Sequence, residues 1–407
     1  MEKTKNIPKI RFKGYKDEWE KTQLNDIGNK YTSLTGKTKE DFGHGEGRYI
    51  IFTNVLANPV ALLDGVEKIE IDKRQNEVKN GDLFFNISSE TYEEVGMSSV
   101  WTYDKENYYL NSFCMGFRPN VELDSYFITH SLRSQAAREQ IIKLAQGISR
   151  INISQTKMLD ININIPSIEE QKQIGSLFKN LDEKLEIERE KHEKLVNFKK
   201  AMLENVFPKE GEKRPKIRFG GYNDDWKGLK IKDIGIIKTG KTPPTADRIN
   251  YTDRGMLFIT PTDIKNNVTK NTERKLSALG YLKSTVVEPG TILVTCIASI
   301  GKNTLIEDFS AFNQQINSIT PYNCDSYFVY TLSYHWSNHM SKMAATGTMQ
   351  IINKNDFSEI ETSIPSINEQ KFIGSFFKNL DEKIQVSEEK ISKIENFKKA
   401  MMDGLFV

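Results

Sequence analysis

The sequence is poor in cysteine and contains no long apolar run. Its three cysteines, Cys114, Cys296 and Cys324, are widely spaced and odd in number. This pattern argues against a disulfide framework or a cysteine-pair zinc site, and it fits a reducing compartment. A transmembrane helix would need a run of about 18 apolar residues, which is missing, and the N-terminal residues lack the apolar segment of a secretory signal. We therefore expect a cytoplasmic protein that does not contact a membrane.

An excess of charge of one sign is also missing, because 57 basic residues are set against 55 acidic ones, for a net charge of +2 at pH 7. A sum so close to zero neither requires nor excludes a nucleic-acid partner, since local patches of charge decide such binding. The length of 407 residues predicts two or three domains. The 38% of apolar residues is enough to build packed cores.

An internal repeat divides the chain into two tandem units. Residues 8–28 and 215–235 agree at 12 of 21 positions, and residues 165–184 and 364–383 agree at 17 of 20. Each unit therefore has a leading segment, a divergent body and a charged segment. We predict the boundaries as the first body with its leading segment over 1–165, a long helix over 166–207, the second body with its leading segment over 208–364, and a second long helix over 365–407.

The two charged segments have the pattern of long amphipathic helices. Ser167 with Glu170, and Ser366 with Glu369, match a capping box at the start of each helix. Each helix should span roughly 35 residues, or about 50 Å. The apolar positions recur at spacings that are mostly three and four, and they are Ile174, Phe178, Leu181, Leu185, Leu195, Phe198 and Met202 in the first helix and Ile373, Phe377, Leu380, Ile384, Ile391, Ile394, Phe397 and Met401 in the second.

Such a narrow apolar stripe needs a partner. Two nearly identical stripes in one chain most simply bury against each other as a coiled coil. Two alternatives stay open: each stripe packs on its own body, or both stripes face copies of one partner protein.

The bodies have a mixed pattern of strands and helices without a regular βαβ rhythm, which favours the α+β class. Their β-branched, apolar segments between glycine and proline predict strands. In the first body we predict strands at Arg48–Thr53, Leu83–Ile87 and Tyr108–Met115 and a helix at Tyr126–Ala145, and in the second body strands at Ile231–Ile237, Met256–Thr260 and Thr291–Ile297 and a helix at Tyr327–Met343.

One catalytic pattern is a misleading match. Residues 235–242 satisfy the phosphate-loop spacing with Gly235, Gly240, Lys241 and Thr242. That chemistry needs a helix to begin at the lysine, so that its free N–H groups bind phosphate. Two prolines follow directly and disfavour such a helix. We expect a strand that runs into a loop.

Other catalytic patterns are weak. Asp64 with residues 77–79 could be drawn as a metal-dependent nuclease site, but such acidic patterns arise easily by chance in a charged sequence. His335 and His339 are spaced like two zinc ligands on a helix, but no third ligand is evident. We find no complete active site and predict no metal ligands in this chain.

The two helices begin with the most specific motifs of the sequence. Ile165-Pro166-Ser167 precedes Glu170-Gln171-Lys172, Ile364-Pro365-Ser366 precedes Glu369-Gln370-Lys371, and Asn-Leu-Asp follows at 180–182 and 379–381. The second body adds Thr239-Gly240-Lys241-Thr242-Pro243, Gly290-Thr291-Ile292-Leu293 and Asn313-Gln314-Gln315. Over almost its whole length the chain resembles the DNA-specificity subunit of type I restriction-modification systems.

This resemblance implies an α+β fold in which two globular mixed α/β target-recognition domains are separated by two long helices. The helices would pair as an antiparallel coiled coil, with a pseudo-two-fold internal repeat. Each domain would read one half of a bipartite site in double-stranded DNA, and the helices would set the spacing and dock two methyltransferase subunits. Restriction subunits with translocase activity would join them. The chain itself would be non-catalytic, because S-adenosylmethionine, ATP and magnesium would be bound by those partner subunits.

Base readout favours Arg and Lys on guanine and Asn and Gln on adenine, while phosphate contacts position a protein without specifying sequence. On this basis we predict DNA contacts at Thr53, Asn54, Ser88, Ser89, Gln146 and Arg150 in the first body and at Lys241, Thr242, Ser299, Lys302, Gln314, Gln315 and Gln350 in the second.

The charges of the two bodies differ. Residues 20–165 hold 16 basic and 20 acidic residues, a difference of −4, and residues 227–363 hold 15 and 12, a difference of +3. A DNA reader needs a basic face, so the first body must segregate its charge or rely on a partner. We expect weak DNA binding, or poor solubility, for the isolated chain. The alternative is a non-enzymatic tandem-repeat scaffold whose bodies bind protein.

Overall fold

The computed structural model describes residues 6–209, 211–265, 267–297, 299–346 and 351–407. The chain divides into two compact units. Unit 1 comprises Met1–Arg189 with Lys390–Val407, and unit 2 comprises Glu190–Glu389. This division cuts both long helices, whereas the sequence placed each of them in a segment of its own. No helix among the residues described is long and apolar enough to cross a membrane.

Unit 1 mixes short strands with short helices ahead of one long helix. Its strands are β1 Glu20–Gln23, β2 Gly28–Tyr31, β3 Phe42–Ile50, β4 Val66–Ile69, β5 Leu83–Asn86, β6 Ser88–Ser89, β7 Ser98–Val100, β8 Tyr108–Leu110, β9 Cys114–Pro119, β10 Ile151–Asn152 and β11 Asn162–Ile165. Its helices are α1 Leu24–Ile27, α2 Phe52–Ala57, α3 Ser125–Arg133, α4 Gln135–Leu144, α5 Gln155–Leu159 and the first part of α6 Ile168–Asn205, with a 3-10 turn at Lys39–Asp41.

Unit 2 repeats this arrangement. Its strands are β12 Lys227–Lys230, β13 Gly235–Thr239, β14 Tyr251–Thr252, β15 Met256–Ile259, β16 Arg274–Leu276, β17 Thr285–Val287, β18 Ile292–Thr295, β19 Asn303–Leu305, β20 Ser310–Phe312, β21 Ile316–Pro321 and β22 Glu361–Ile364. Its helices are α7 Ala278–Leu282, α8 Ser326–Thr346, α9 Lys354–Glu359 and the first part of α10 Ile367–Leu405, with 3-10 turns at Ile231–Asp233 and Arg248–Asn250.

The divergent bodies share the strand order of their four-stranded sheets, whereas their second sheets have three strands in unit 1 and five in unit 2. Unit 1 has an antiparallel sheet in the order β2-β9-β5-β7, and unit 2 has β13-β21-β18-β19. A second sheet pairs β3 with β8 in parallel in unit 1 and β15 with β20 in parallel in unit 2. The central strands β5 and β18 are buried at every residue, which explains why they read as continuous apolar runs. The α+β class and the internal repeat are confirmed.

Each body is closed by a two-stranded ribbon at the point where its long helix begins. Strand β1 pairs with β11, with Glu20 opposite Ile165, and β12 pairs with β22, with Lys227 opposite Ile364. In both units the helix starts three residues after the last residue of the ribbon. The repeated sequences at the two ends of each body are therefore neighbours in the fold.

Four predicted elements are wrong in extent. The predicted strand Arg48–Thr53 ends at Ile50 and gives way to α2. The predicted strand Tyr108–Met115 is two strands, because the Asn111 side chain accepts a hydrogen bond from the Phe113 N–H at 3.0 Å and makes a turn. The predicted helix Tyr126–Ala145 is broken at Ser134, whose extended backbone and hydroxyl start α4. The predicted strand Ile231–Ile237 begins as a 3-10 turn and becomes a strand only at Gly235.

Each long helix contributes to both cores. In unit 1, Phe406 beyond the end of α10 lies with its ring centroid 5.7 Å from Phe127 and 5.5 Å from Phe178 of α6. In unit 2, Phe207 beyond the end of α6 lies 5.8 Å from Phe328 and 6.1 Å from Phe377 of α10.

The two helices run antiparallel where they meet within each unit. In unit 1, Lys398 of α10 pairs with Asp182 of α6, and Glu395 pairs with Arg189 at 2.6 Å. In unit 2, Lys199 of α6 pairs with Asp381 of α10 at 2.5 Å. Residues later in α6 therefore pair with residues earlier in α10, which is the pattern of antiparallel helices. The predicted antiparallel pairing is confirmed, and so is the alternative that each stripe packs on its own body.

Candidate nucleic-acid interface

The repeated leading segments and helix starts form the same junction in both units. The guanidinium of Arg11 donates to both carboxylate oxygens of Glu170 at 2.8 Å, and Arg218 binds Glu369 in the same way at 2.9 and 2.8 Å. Both carboxylates are 1% exposed. Only the serine half of the predicted capping box is therefore present: Ser167 and Ser366 accept the backbone N–H of the glutamate. The glutamate side chain instead binds an arginine.

A second repeated contact ties each body to its helix. The side chain of Gln171 accepts from the backbone of Asp124 at 3.1 Å and donates to the carbonyl of Pro166 at 3.0 Å. Gln370 makes the same two bonds to Asp325 and Pro365 at 3.2 and 3.0 Å. The Glu-Gln pairs that mark the sequence thus hold the body against the start of its long helix.

The predicted stripe residues divide by exposure. Ile174, Phe178, Leu181, Leu185, Met202, Ile373, Phe377 and Leu380 are buried, and Leu195, Ile384, Ile391, Ile394 and Met401 are partly buried. Phe198 and Phe397, which occupy equivalent positions, are 49% and 48% exposed. The stripe therefore forms the contact between the two helices, which we call the helix seam, and the junction with each body. It leaves one aromatic side chain on each helix exposed to solvent.

A buried histidine joins the helix seam in unit 1. His130 is 1% exposed, stacks on Phe178 with centroids 4.5 Å apart, and places Nε2 3.1 Å from Asp182. Burial lowers the pKa of His130, against the opposing effect of Asp182. Burial works to raise the pKa of Asp182, but contacts with His130 and Lys398 hold it below its ordinary value. In unit 2 the hydroxyl of Tyr327 donates to the equivalent Asp381 at 2.7 Å.

Three of the predicted contacts in the first body lie around one pocket of about 650 Å³. They are Ser88, Gln146 and Arg150, and the Arg150 Nε donates to the Ser88 hydroxyl at 3.0 Å. The full lining is Ile87, Ser88, Ser112, Phe113, Leu144, Gln146, Arg150, Asn152, Ile153, Ser154 and Lys157. These eleven described residues include two cations and no carboxylate. This pocket thus carries positive charge in a body whose overall charge is −4.

The other three predicted positions in the first body are placed elsewhere. Thr53 is exposed on α2. Asn54 is 3% exposed, and its amide is fully occupied: its Nδ2 donates to the carbonyls of Leu62 and Gly65, and its Oδ1 accepts from Leu62 and Asn58. Ser89 is 4% exposed and donates to the Glu94 carboxylate at 2.6 Å. Asn54 and Ser89 face inward, so as candidates for base contact they are corrected to structural residues.

Two separate motifs of the second body come together in space. Thr242 donates through its hydroxyl to the side chain of Gln314 at 2.5 Å. A Cβ at Gly240 would lie 1.9 Å from the Asn313 carbonyl oxygen, so only glycine lets the two loops approach. Lys241, Thr242 and Gln314 thus form one surface, with Lys241 and Gln314 exposed.

The phosphate-loop spacing does not become a phosphate loop. Strand β13 ends at Thr239, and residues 241–244, all of which the structure describes, form no helix. The next helical turn is the 3-10 turn at Arg248–Asn250. The expectation of a strand that runs into a loop is confirmed.

A second pocket of about 450 Å³ lies beside this surface of unit 2. Its lining is Thr260, Pro261, Thr262, Asp263, Glu273, Arg274, Ile297, Ser299, Asn313 and Gln315. It includes the predicted residues Ser299 and Gln315. Lys302 is exposed immediately before β19, and Gln350 lies outside the described residues. In the part of the chain that the structure covers, no group of three or more His, Cys, Asp and Glu side chains could hold a metal ion.

Sequence reasoning missed several pocket residues. Phe113 is 55% exposed and lies under the Arg150 guanidinium, 5.8 Å from its centre, and Ile148 is fully exposed on the adjacent loop. Asp263 and Arg274 of the second pocket were also missed. A single exposed apolar side chain leaves no periodic signal in a sequence, and a lone acidic or basic side chain is common, so neither could have been found by pattern.

Comparisons with known proteins bear on this arrangement. The family described as "Type I restriction modification DNA specificity domain" matches the chain twice, over residues 16–197 and 223–396. The chain is 22% identical to the type I restriction enzyme MjaX specificity subunit of Methanocaldococcus jannaschii over 99% of this chain and 96% of that protein. It is 31% identical to the HindI specificity subunit of Haemophilus influenzae over 39% of this chain and 37% of that protein.

Solved structures show the same fold. An S subunit of a type I restriction-modification system from M. genitalium superposes with a TM-score of 0.65 at 16% identity, over 98% of this chain and 99% of that chain. A chain from a study of type I restriction-modification complex assembly superposes with a TM-score of 0.54 at 16% identity, over 95% and 96%. With two matched domains, a shared junction and this fold, the chain belongs to the type I restriction-modification DNA specificity subunit family and carries two target-recognition domains.

Proposed function

We propose that each unit reads one half of a bipartite site in double-stranded DNA and that the two half-sites differ in sequence. One observation carries this proposal: the same junction supports pockets with different linings. The pocket of unit 1 has Arg150 and Lys157 and lacks a carboxylate among its described residues, whereas the pocket of unit 2 contains Asp263, Glu273 and Arg274. A repeated frame with unlike polar surfaces fits two readers of unlike sequences.

The Asp263 carboxylate of the second pocket does not oppose this role. The carboxylate of Asp263 accepts hydrogen bonds from the backbone and hydroxyl of Thr260 and from the backbone of Glu273, at 2.6–3.0 Å. It therefore shapes the loop. The exposed Lys241 and Gln314 lie on the adjacent surface. The lysine ammonium can contact a guanine edge, and the glutamine amide can contact an adenine edge.

The long helices set the separation of the two half-sites. A helix of 38 residues is about 57 Å long. At 3.4 Å per base pair this allows at most roughly 17 base pairs between the half-site centres. Readers on one face of the DNA favour about one turn, near 34–36 Å.

Exposed apolar side chains at equivalent positions of the two helices support docking of two methyltransferase subunits. Ile187 is 64% exposed and its counterpart Val386 is 50% exposed, while Phe198 and Phe397 are also half exposed. Apolar side chains that recur in two copies provide two similar sites, as two copies of one partner require.

The chain is non-catalytic in this proposal. S-adenosylmethionine is bound by the methyltransferase subunits, and ATP and magnesium are bound by the restriction subunits with their translocase activity. By binding its DNA site, this chain directs where those subunits methylate or cleave DNA. The complex serves in defence against phage. The isolated chain binds DNA weakly, and its partners tighten that binding.

Mapping of methylated adenines in cells tests the proposal. The chain is co-expressed with its methyltransferase subunits, and residues 20–163 are exchanged for the equivalent body of a related chain. We expect a bipartite motif that depends on this chain, with only one half changed by the exchange. The matched control exchanges residues 227–362 and should change only the other half. A motif that persists without the chain, or that changes in both halves with either exchange, would refute it.

A further inference from the structure

A rigid loop in unit 1 displays an apolar side chain that has no role in the fold. Residues 146 and 152 exchange two backbone hydrogen bonds of 2.8 Å, and the Asn152 side chain donates to the carbonyl of Arg150 at 3.1 Å. The Tyr92 hydroxyl donates to the carbonyl of Gly147 at 3.1 Å. At Gly147 the backbone has φ of +144°, and a Cβ would lie 2.0 Å from the Arg150 carbonyl oxygen. The loop is therefore held in one conformation.

Ile148 lies at the tip of this loop and is fully exposed, at 101%. Phe113 is 55% exposed and lines the pocket beside the loop, with the Arg150 guanidinium over its ring. Loop tips are ordinarily polar, and a large apolar side chain that is held in water on a fixed loop adds nothing to the stability of the fold. Two such side chains beside one pocket indicate a contact with a ligand.

The surroundings define the chemistry of that ligand. Arg150 and Lys157 give the pocket a positive charge, and none of its eleven described lining residues is acidic, in a body whose overall charge is negative. Gln146 and Asn152 add amide groups to the lining. The site thus combines cations for phosphate, amides for base edges and apolar side chains for a methyl group.

In the major groove, thymine is the base that presents an apolar group, its C5-methyl, and amide side chains pair with adenine. We propose that Ile148 and Phe113 recognise the C5-methyl group of a thymine in the half-site that unit 1 reads. Gln146 reads the adenine edge in the same region. This inference rests on the proposed function, because it assigns a base contact to one of the two half-sites.

Replacement of thymine by uracil tests the contact, because it removes the methyl group and leaves the hydrogen-bonding edge unchanged. The chain is assembled with its methyltransferase subunits, and initial methylation rates are measured on duplexes of the mapped motif in which each thymine is replaced in turn. We expect one thymine, in the half changed by exchange of residues 20–163, at which uracil lowers the rate about fourfold, the effect of one buried methyl group.

Two variants complete the test. Ile148→Ala should lower the rate on the thymine duplex and bring the thymine-to-uracil ratio at that position close to one. Val121→Ala is the matched control, because Val121 is 45% exposed in the same unit and is not among the residues that line the pocket; it should keep the wild-type ratio. Since Ile148 is fully exposed, its variant should unfold at the wild-type temperature, which excludes misfolding.

The proposal is overturned if no uracil substitution in that half lowers the wild-type rate, if that half contains no thymine, or if Ile148→Ala keeps the wild-type ratio. These outcomes differ from failure of the proposed function, in which no bipartite motif would depend on the chain and no half would follow the exchanged body.

Discussion

Arg11 and Glu170 are 159 positions apart in the chain, and both guanidinium-to-carboxylate distances are 2.8 Å. The arginine comes from the leading segment and the glutamate from the first turn of α6. With the carboxylate 1% exposed, this pair fixes the leading segment to the start of the helix. Arg218 and Glu369 repeat it in unit 2.

Replacement of the arginine should therefore be costly. Arg11→Met leaves a buried carboxylate without its partner, and we expect the free energy of unfolding of unit 1 to fall by about 3 kcal/mol. Urea unfolding followed by circular dichroism measures this change. The exposed pair between Lys172 and Glu122, at 3.2 Å, is the control, and Lys172→Met should cost less than about 1 kcal/mol. Equal losses in both variants would contradict the assignment, as would failure of Glu170→Leu to restore stability in the Arg11→Met background.

Gly175 should be intolerant of alanine although it lies within α6. A Cβ there would lie 1.9 Å from Oδ1 of Asp124, which accepts the Phe127 N–H at 2.8 Å and begins α3. Helix propensity alone would favour alanine by about 1 kcal/mol. We expect instead a loss of about 2 kcal/mol from overpacking, measured by thermal unfolding. Gly228→Ala, where nothing lies within 4 Å, is the control; a stabilised Gly175→Ala variant would refute this account.

The stability of unit 1 should depend on pH through His130. Burial lowers the pKa of His130 in the folded chain. The unfolded chain, with a histidine pKa of about 6.5, then binds the proton more readily. The free energy of unfolding should therefore fall as the pH falls below about 6.5. Asp182, whose pKa is also lowered, contributes only at pH values near and below the ordinary carboxyl range.

Urea unfolding at pH 7 and pH 5 measures this effect. His130→Phe keeps the stacking on Phe178 and removes the titrating group, so the loss of stability between the two pH values should shrink. His44, whose side chain is 57% exposed, provides the control variant His44→Phe, which should keep the wild-type dependence. The same pH dependence in His130→Phe and the wild type would rule out this histidine as its source.

Gln314 should affect one half-site only. Its side chain is exposed and is oriented by the Thr242 hydroxyl at 2.5 Å. If the amide reads a base, Gln314→Ala should relax discrimination at one position by about 1–3 kcal/mol, in the half that unit 2 reads. Methylation mapping measures this change, with the exposed helix residue Gln385 as the control in Gln385→Ala. An unchanged motif would remove Gln314 from the base contacts, and a uniform loss of methylation would assign it to phosphate.

The sequence predicted the elements whose signal is local. The long helices are evident from a periodic stripe, and their pairing follows because a narrow stripe such as Ile174–Phe178 cannot stay in water. The central strands β5 and β18 were found because strands buried on both faces are continuously apolar. The shared fold of the bodies was evident only as weak repeats, yet their four-stranded sheets have the same strand order.

Features that depend on distant partners could not be predicted. Asn54 has the amide of a base reader, but its neighbours in space occupy all of it. Ser134 resembles any helical serine until its backbone turns to begin α4. The Arg11 pair joins positions too far apart for a pattern to connect, although repetition of both residues in the second unit hinted at a shared role.

The contribution of each helix to two cores has a consequence for biosynthesis. Leu405 and Phe406 are 2% and 8% exposed in the core of unit 1, more than 200 positions after most of the residues that surround them. Domains ordinarily fold as the ribosome delivers them, from the N-terminal end onward. The core of unit 1 therefore stays incomplete, with part of its apolar surface exposed, until the ribosome has translated all of unit 2. The order of completion is therefore the reverse of the order of synthesis.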